Sequence, residues 1–274
     1  MAEECTHDCS SCGKSCSDKQ KKESFLKEPH KKSSIKKVIA VVSGKGGVGK
    51  SLTTSLLAAY AHKAGKSVGI MDADITGPSI PKMFGVTERA SAEEDGLNTV
   101  LTPSGIQMMS MNLLLENEHD TVIWRGMMIA GTVQQFWTDV IWRDVDLLFI
   151  DMPPGTGDVP LTVFQSIPIA GVVVVTTPQD LVKMVAEKAV KMAEMMDVPV
   201  LGLVENMSYL TCPGCGKKIE VFGHSKADEI AAEYGIPAVA KLPIDPKIAE
   251  LADVGRIEDY DCDALKEIYA KIEG

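Results

Sequence analysis

Two periodicities alternate along this chain. Short runs of β-branched and other apolar residues, at 38–42, 67–71, 106–111, 146–151, 172–175, 199–204 and 237–241, read as strands. Between them, apolar residues recur at helical spacing at 52–60, 126–140, 179–196, 225–234 and 261–274. The first run, Val38, Ile39, Val41 and Val42, is almost continuously apolar, which suits a strand covered on both faces of a parallel sheet. Strands alternating with helices predict one doubly wound α/β domain with a mainly parallel sheet over residues 36–274. Residues 1–35 are polar and lysine-rich, so they bury too little surface to offset ordering entropy and are expected to form a flexible tail.

The first strand leads into a glycine-rich turn. Gly44, Gly49, Lys50 and Ser51 satisfy G-x-x-x-x-G-K-[ST], a loop whose N–H groups wrap phosphate oxygens while the lysine reaches the outer phosphates and the serine holds Mg2+. Leu52, Leu56, Leu57 and Tyr60 then open a helix that runs to Gly65, so the loop lies at a helix N-terminus suited to an anion. Nucleotide contact is therefore expected at Gly44, Lys45, Gly46, Gly47, Val48, Gly49, Lys50, Ser51 and Leu52. The extra Lys45, in GKGGVGKS, resembles the deviant Walker A loop of the MinD/ParA/nitrogenase-iron-protein ATPases. That resemblance implies a lysine reaching nucleotide across a homodimer interface; a solvated lysine beside a phosphate site is the alternative.

Further carboxylates end later strands. Asp72-Ala73-Asp74 closes the second strand, and Asp74 is expected to orient the attacking water by analogy with the first switch of those ATPases. A cap for a helix beginning at Pro78 is the competing reading. Asp151 closes the 146–151 strand before MPPGTGD, a Walker B aspartate and second switch in which the acid holds the Mg2+ shell and Gly155 offers an N–H to the γ-phosphate. Asn206 follows the 199–204 strand and has the donor and acceptor needed to read adenine, or serves a turn. Glu116, Glu118, His119 and Asp120 show no ligand spacing and read as a solvated loop. Met184, Met192, Met195 and Met196 read as packing residues.

Charge and cysteines narrow the class. The formal net charge is −10, and residues 1–37 hold nine Lys against six acidic residues, leaving 19 basic against 32 acidic residues beyond Lys37, which argues against sequence-independent nucleic-acid binding. Neither a membrane-spanning stretch nor a signal-peptide layout is present in the sequence, so a cytoplasmic protein is expected. The final helix carries four acidic and two lysine side chains, and docking on the body suits it better than a membrane surface. In a reducing compartment clustered cysteines read first as metal sites. Cys5, Cys9, Cys12 and Cys16 suit an iron-sulfur cluster or zinc, or stay merely reduced. Cys212 and Cys215 form a C-x-x-C knuckle that is half a site, completed by the tail or by a second copy across a two-fold axis.

Taken in order, the deviant loop, DADITGPSIP, WRG, IDMPPGTGD, TTPQ, VENMSY and CPGCG resemble the Mrp/ApbC family of iron-sulfur cluster carrier ATPases. The resemblance implies slow ATP hydrolysis with ATP and Mg2+, and a labile [4Fe-4S] cluster bridged between two subunits by Cys212 and Cys215. It also implies transfer to apo iron-sulfur proteins, in company with a cluster-assembly scaffold. The tail spacing and Met127, which follows WRG where proline is usual, depart from the family. A MinD/ParA-like positioning ATPase and a zinc-clamped structural dimer are the rival readings.

Overall fold

The computed structural model describes residues 25–75, 77, 79–115, 126–155, 157–178 and 182–274. The tail cysteines Cys5, Cys9, Cys12 and Cys16, and the loop residues Glu116, Glu118, His119 and Asp120, lie outside the described residues, as do Pro78, WRG's Trp124 and Arg125, and Gln179.

The strands are β1 (Ile35–Ser43), β2 (Val68–Asp72), β3 (Ala92–Glu93), β4 (Gly96–Asn98), β5 (Val100–Leu101), β6 (Gln107–Met109), β7 (Val140–Ile141), β8 (Val145–Asp151), β9 (Gly171–Thr176), β10 (Val200–Thr211), β11 (Lys218–Ile219) and β12 (Val239–Ile244). The helices are α1 (Lys50–Lys63), α2 (Ile80–Met83), α3 (Gly126–Thr138), α4 (Asp158–Ser166), α5 (Val182–Met195), α6 (Ala227–Glu233), α7 (Pro246–Asp253) and α8 (Lys266–Glu273). The main sheet runs β11-β10-β9-β1-β8-β2-β6-β5, with β12 also on β10. Its central pairs, β9-β1, β1-β8, β8-β2 and β2-β6, are parallel.

Strand alternation builds the two layers. Val38, Ala40 and Val42 of β1 point into one core with Phe136, Trp137 and Val163 of α3 and α4, and Ala186 and Ala189 of α5. Ile39 and Val41 point into the other, with Leu56 and Leu57 of α1 and Ile268 and Ile272 of α8. Both faces are covered, so apolar runs without polar alternation are what this sheet requires.

Several expectations are corrected. The strand expected to stop at 204 continues as β10 to Thr211, because β12 and then β11 pair with its far half. A small second sheet, β3-β4-β7, was not foreseen, its strands of two or three residues being too short to show a period. Helix α7 was missed although Asp245 caps it, accepting from Lys247 N at 2.9 Å, with Pro246 at its start. The final helix is shorter than 261–274: a 3-10 turn at Asp263–Leu265 precedes α8. Met195 is exposed, not packed. Residues 27–34, within the span expected to be tail, dock on the body: Lys27 N donates to Ser166 O at 2.8 Å, Trp137 Nε1 to Lys27 O at 2.8 Å, and Ser34 N to Trp142 O at 2.8 Å. Among the described residues no helix is long and apolar enough to cross a membrane.

Candidate functional site

The carboxyl ends of β1, β2 and β8 converge on the turn between β1 and α1. Gly47 and Gly49 have φ of 78° and 83°, in the left-handed region that glycine enters without cost. Gly49 is the N-cap of α1 and supplies no side chain to the first turn, whose N–H groups are left for an anion. Beside the turn lies a cavity of about 300 Å3 lined by Lys45, Gly46, Gly47, Gly49, Lys50, Ser51, Leu52 and Asp74, with Ser43, Ser79, Met83 and Pro154. Gly44, Val48, Gly155 and Asn206 stand outside that lining.

Under the cavity is a compact charged network. Lys50 Nζ lies 2.7 Å from Asp151 Oδ2 and 3.8 Å from Asp74 Oδ2. Ser51 Oγ donates to Asp151 Oδ2 at 2.6 Å, and Thr54 Oγ1 to Asp151 Oδ1 at 2.7 Å. Asp72, aligned with Asp151 across the parallel β2-β8 pair, is also buried. Its carboxyl is pushed up to about 8, first by burial and then by the Asp151 charge, against the pull of Lys50 and a hydrogen bond from Ser110 Oγ at 3.1 Å. Its Oδ1 accepts from the Asp74 backbone N at 3.2 Å, which ties the expected water-orienting residue to the strand end. The sequence displayed Asp72 two residues before Asp74, but only the β2-β8 register shows it beside Asp151. The carboxyl groups of Asp151 and Asp74 share one lysine, the raised Asp72 carboxyl keeps its proton at neutral pH, and the Ser51 hydroxyl stands beside them. Such a set of hard oxygen donors fits Mg2+.

Two expected nucleotide contacts are bonded within the chain. Gly155, with φ of 89°, donates its N–H to Ser43 O at 2.9 Å, docking the second switch on the end of β1. Asn206 is buried, and its Nδ2 donates to Val48 O at 3.0 Å, which braces the turn from beneath. The fit is close: a Cβ on Gly49 would collide with Asn206 Nδ2.

The knuckle follows directly from β10. Cys212 N donates to Lys217 O and Gly216 N to Cys212 O, both at 2.9 Å, and Gly216 turns at φ of 72°. Both thiols are free, Cys212 half-buried and Cys215 exposed. Backbone N–H groups of Gly214 and Cys215, then the Cys215 thiol, lower the Cys212 thiol's pKa, which favours the thiolate a metal binds. Ile219, Val221 and Phe222 are exposed a few residues on. Among the described residues no group of three or more His, Cys, Asp or Glu is arranged to hold a metal, so the knuckle remains half a site there. Cys262 differs: it is buried, and burial pushes its thiol up to about 11.

The ParA family model described as NUBPL iron-transfer P-loop NTPase matches residues 34–273. The chain belongs to this family. Relatives named iron-sulfur cluster carrier protein include one from Clostridium perfringens, 47% identical over 82% of each chain, and one from Methanococcus maripaludis, 42% identical over 97% of this chain and 95% of its own. Among solved structures, a nucleotide-binding protein from Archaeoglobus fulgidus in complex with ADP is 46% identical, with a TM-score of 0.77 over 85% of this chain and 91% of its own. The septum site-determining protein MinD of Pyrococcus horikoshii, complexed with Mg-ADP, shares the fold at a TM-score of 0.61 over 87% and 95% of the two chains, with 18% identity. As a P-loop NTPase of this family, the chain is an ATPase. The doubly wound architecture expected from the sequence is the architecture of these structures.

Proposed function

We propose that two copies of this chain hold a [4Fe-4S] cluster between their Cys212 and Cys215 pairs and hand it to apo-proteins under the control of ATP hydrolysis. The observation that carries this reading is the knuckle, which presents two accessible thiols and lacks a third ligand among the described residues. A two-fold axis doubles the pair to the four thiolates that such a cluster takes. The exposed Ile219, Val221 and Phe222 beside it are apolar surface that a second copy would cover. The relatives' naming as iron-sulfur cluster carriers supports the same cargo. A cluster-assembly scaffold is the proposed donor, and the cytoplasm, where thiols stay reduced, the proposed compartment.

In this reading Lys50 and the N–H groups of residues 44–51 hold phosphate oxygens, and Ser51 and Asp151 hold Mg2+, which screens the charge on the terminal phosphates. Lys45 acts on nucleotide bound by the other copy, and Asp74 orients the attacking water. Gly155 N–H reaches the γ-phosphate after leaving Ser43 O, so the second switch must move as the triphosphate binds. Lys50 turns from Asp151 toward phosphate in the same step, leaving Asp151 and Ser51 as the residues that would hold Mg2+.

A membrane-positioning role is disfavoured because Leu265, Ile268 and Ile272 at the chain's end are fully buried, so no apolar helix face is offered to lipid there. The coupling is tested with the Lys50→Ala variant loaded with cluster and offered an apo-acceptor. Delivery is expected to lose its dependence on ATP; delivery still stimulated by ATP to the wild-type extent contradicts the proposal.

A further inference from the structure

Strand β10 carries both halves of the proposed activity on one length of backbone. Asn206 braces Val48 beneath the phosphate loop, and six residues on the same strand delivers Cys212. The strand between them is irregular. From Glu205 to Tyr209 it advances four residues while its partner β12 advances two, from Lys241 to Pro243, so two residues are bulged out. Met207, inside the bulge, has φ of 57°. The other non-glycine residues with positive φ among those described are aspartates, Asp144 and Asp197, which tolerate that region far better than a long apolar side chain. Glu205 is fully buried; Ser208 Oγ donates to its Oε2 at 2.6 Å, but Oε1 has no partner.

A buried carboxylate oxygen without a partner and a left-handed methionine both cost free energy, and such features persist where the surroundings hold them in place. Here they sit together, between the two sites. We propose that residues 205–209 are the joint through which nucleotide at the phosphate loop resets the cysteine knuckle. Closure of the loop on phosphate moves the Val48–Gly49 peptide; Asn206 follows, because its amide is bonded to Val48 O and lies where a Cβ on Gly49 would collide with it. The bulge then shifts, Met207 leaves the left-handed region, Glu205 Oε1 gains a partner, and the downstream end of β10 carries Cys212 with it. Coupling of this kind requires an element with two discrete arrangements that both sites bias, and the bulge is that element.

The meaning of the joint rests on the reading of Cys212 and Cys215 as cluster ligands, but its test uses the full-length, cluster-free chain. Brief alkylation followed by peptide mass spectrometry gives a labelling rate for each cysteine, with and without a non-hydrolysable ATP analogue and Mg2+. In wild type the analogue is expected to change the rates at Cys212 and Cys215 by about fivefold or more. In Met207→Gly and Ser208→Ala this change is expected to fall below about twofold while analogue affinity stays within about twofold of wild type. Protection of the buried Cys262 reports that the fold is intact; if Ser208→Ala exposes it, Met207→Gly, which relieves the left-handed backbone at a half-buried position, carries the test. Equal nucleotide effects in wild type and variants, or none in wild type, overturn the joint. Failure of the cluster reading shows separately, as a chain that takes up no iron yet keeps nucleotide-dependent labelling.

Discussion

Lys50 Nζ and Asp151 Oδ2 lie 2.7 Å apart, with side chains 5% and 0% exposed. The lysine proposed to hold phosphate is thus also the counter-charge of the fully buried Asp151 carboxylate. Removing one member of a buried pair leaves an uncompensated charge and costs about 3–5 kcal/mol. Lys50→Ala is therefore predicted to lower the urea stability of the nucleotide-free protein by about that amount, and millimolar Mg2+ is predicted to restore part of it. An unchanged urea midpoint in EDTA would show that the pair contributes nothing.

Asp72 sets a pH dependence. Its carboxyl titrates near 8 in the folded chain, against about 3.9 when unfolded. Between these values the folded state keeps a proton that the unfolded chain has released, so this group's contribution to stability falls as pH rises from about 4 to 8 and levels off above. Asp72→Asn is predicted to flatten that part of the profile and to be relatively more stable than wild type at high pH. Urea midpoints across pH 5–9 in EDTA check this; parallel profiles contradict it.

Gly49 meets two constraints, a φ of 83° and the Asn206 amide. Gly49→Ala adds about 1–2 kcal/mol of left-handed strain before any displacement of Asn206, which corresponds to roughly tenfold or more in affinity if the loop relaxes away from its binding shape. Calorimetric titration with ADP is predicted to show that loss. Unchanged affinity would mean that the loop does not need this conformation.

The phosphate loop was legible because its residue types dictate its backbone: left-handed positions call for glycine, and Gly47 and Gly49 are there. The β1 and β9 runs were legible because burial on both faces writes an unbroken apolar code. Asn206 was singled out for its chemistry, but its bond to Val48 spans 158 positions and no local pattern announces it. The same holds for Asp72 beside Asp151, and for the far half of β10, which exists as strand only through β11 and β12. Helix α7 is announced by Asp245-Pro246, a cap signal, but its eight residues are too few for apolar spacing to show.

The final helix is structural. Ile268 is fully buried and packs against Gly202, where a Cβ would lie within reach of its Cδ1. Ile268→Ala is predicted to cost about 2–5 kcal/mol in urea unfolding while leaving the protein without affinity for anionic vesicles, as in wild type. A stable variant, or wild-type vesicle binding lost on substitution, would return the helix to a membrane role.

The central claim is a cluster shared by two knuckles, and metal content tests it most directly. Anaerobic reconstitution with iron and sulfide, followed by visible absorbance and by iron, sulfide and zinc analysis, compares wild type with a Cys212→Ala/Cys215→Ala variant; both keep Cys5, Cys9, Cys12 and Cys16, whose content is subtracted. The account predicts about two irons and two sulfides per chain that vanish in the variant, in a brown dimer. About half a zinc per chain with no visible absorbance would contradict it and leave an ATPase whose cysteines only clamp two subunits together.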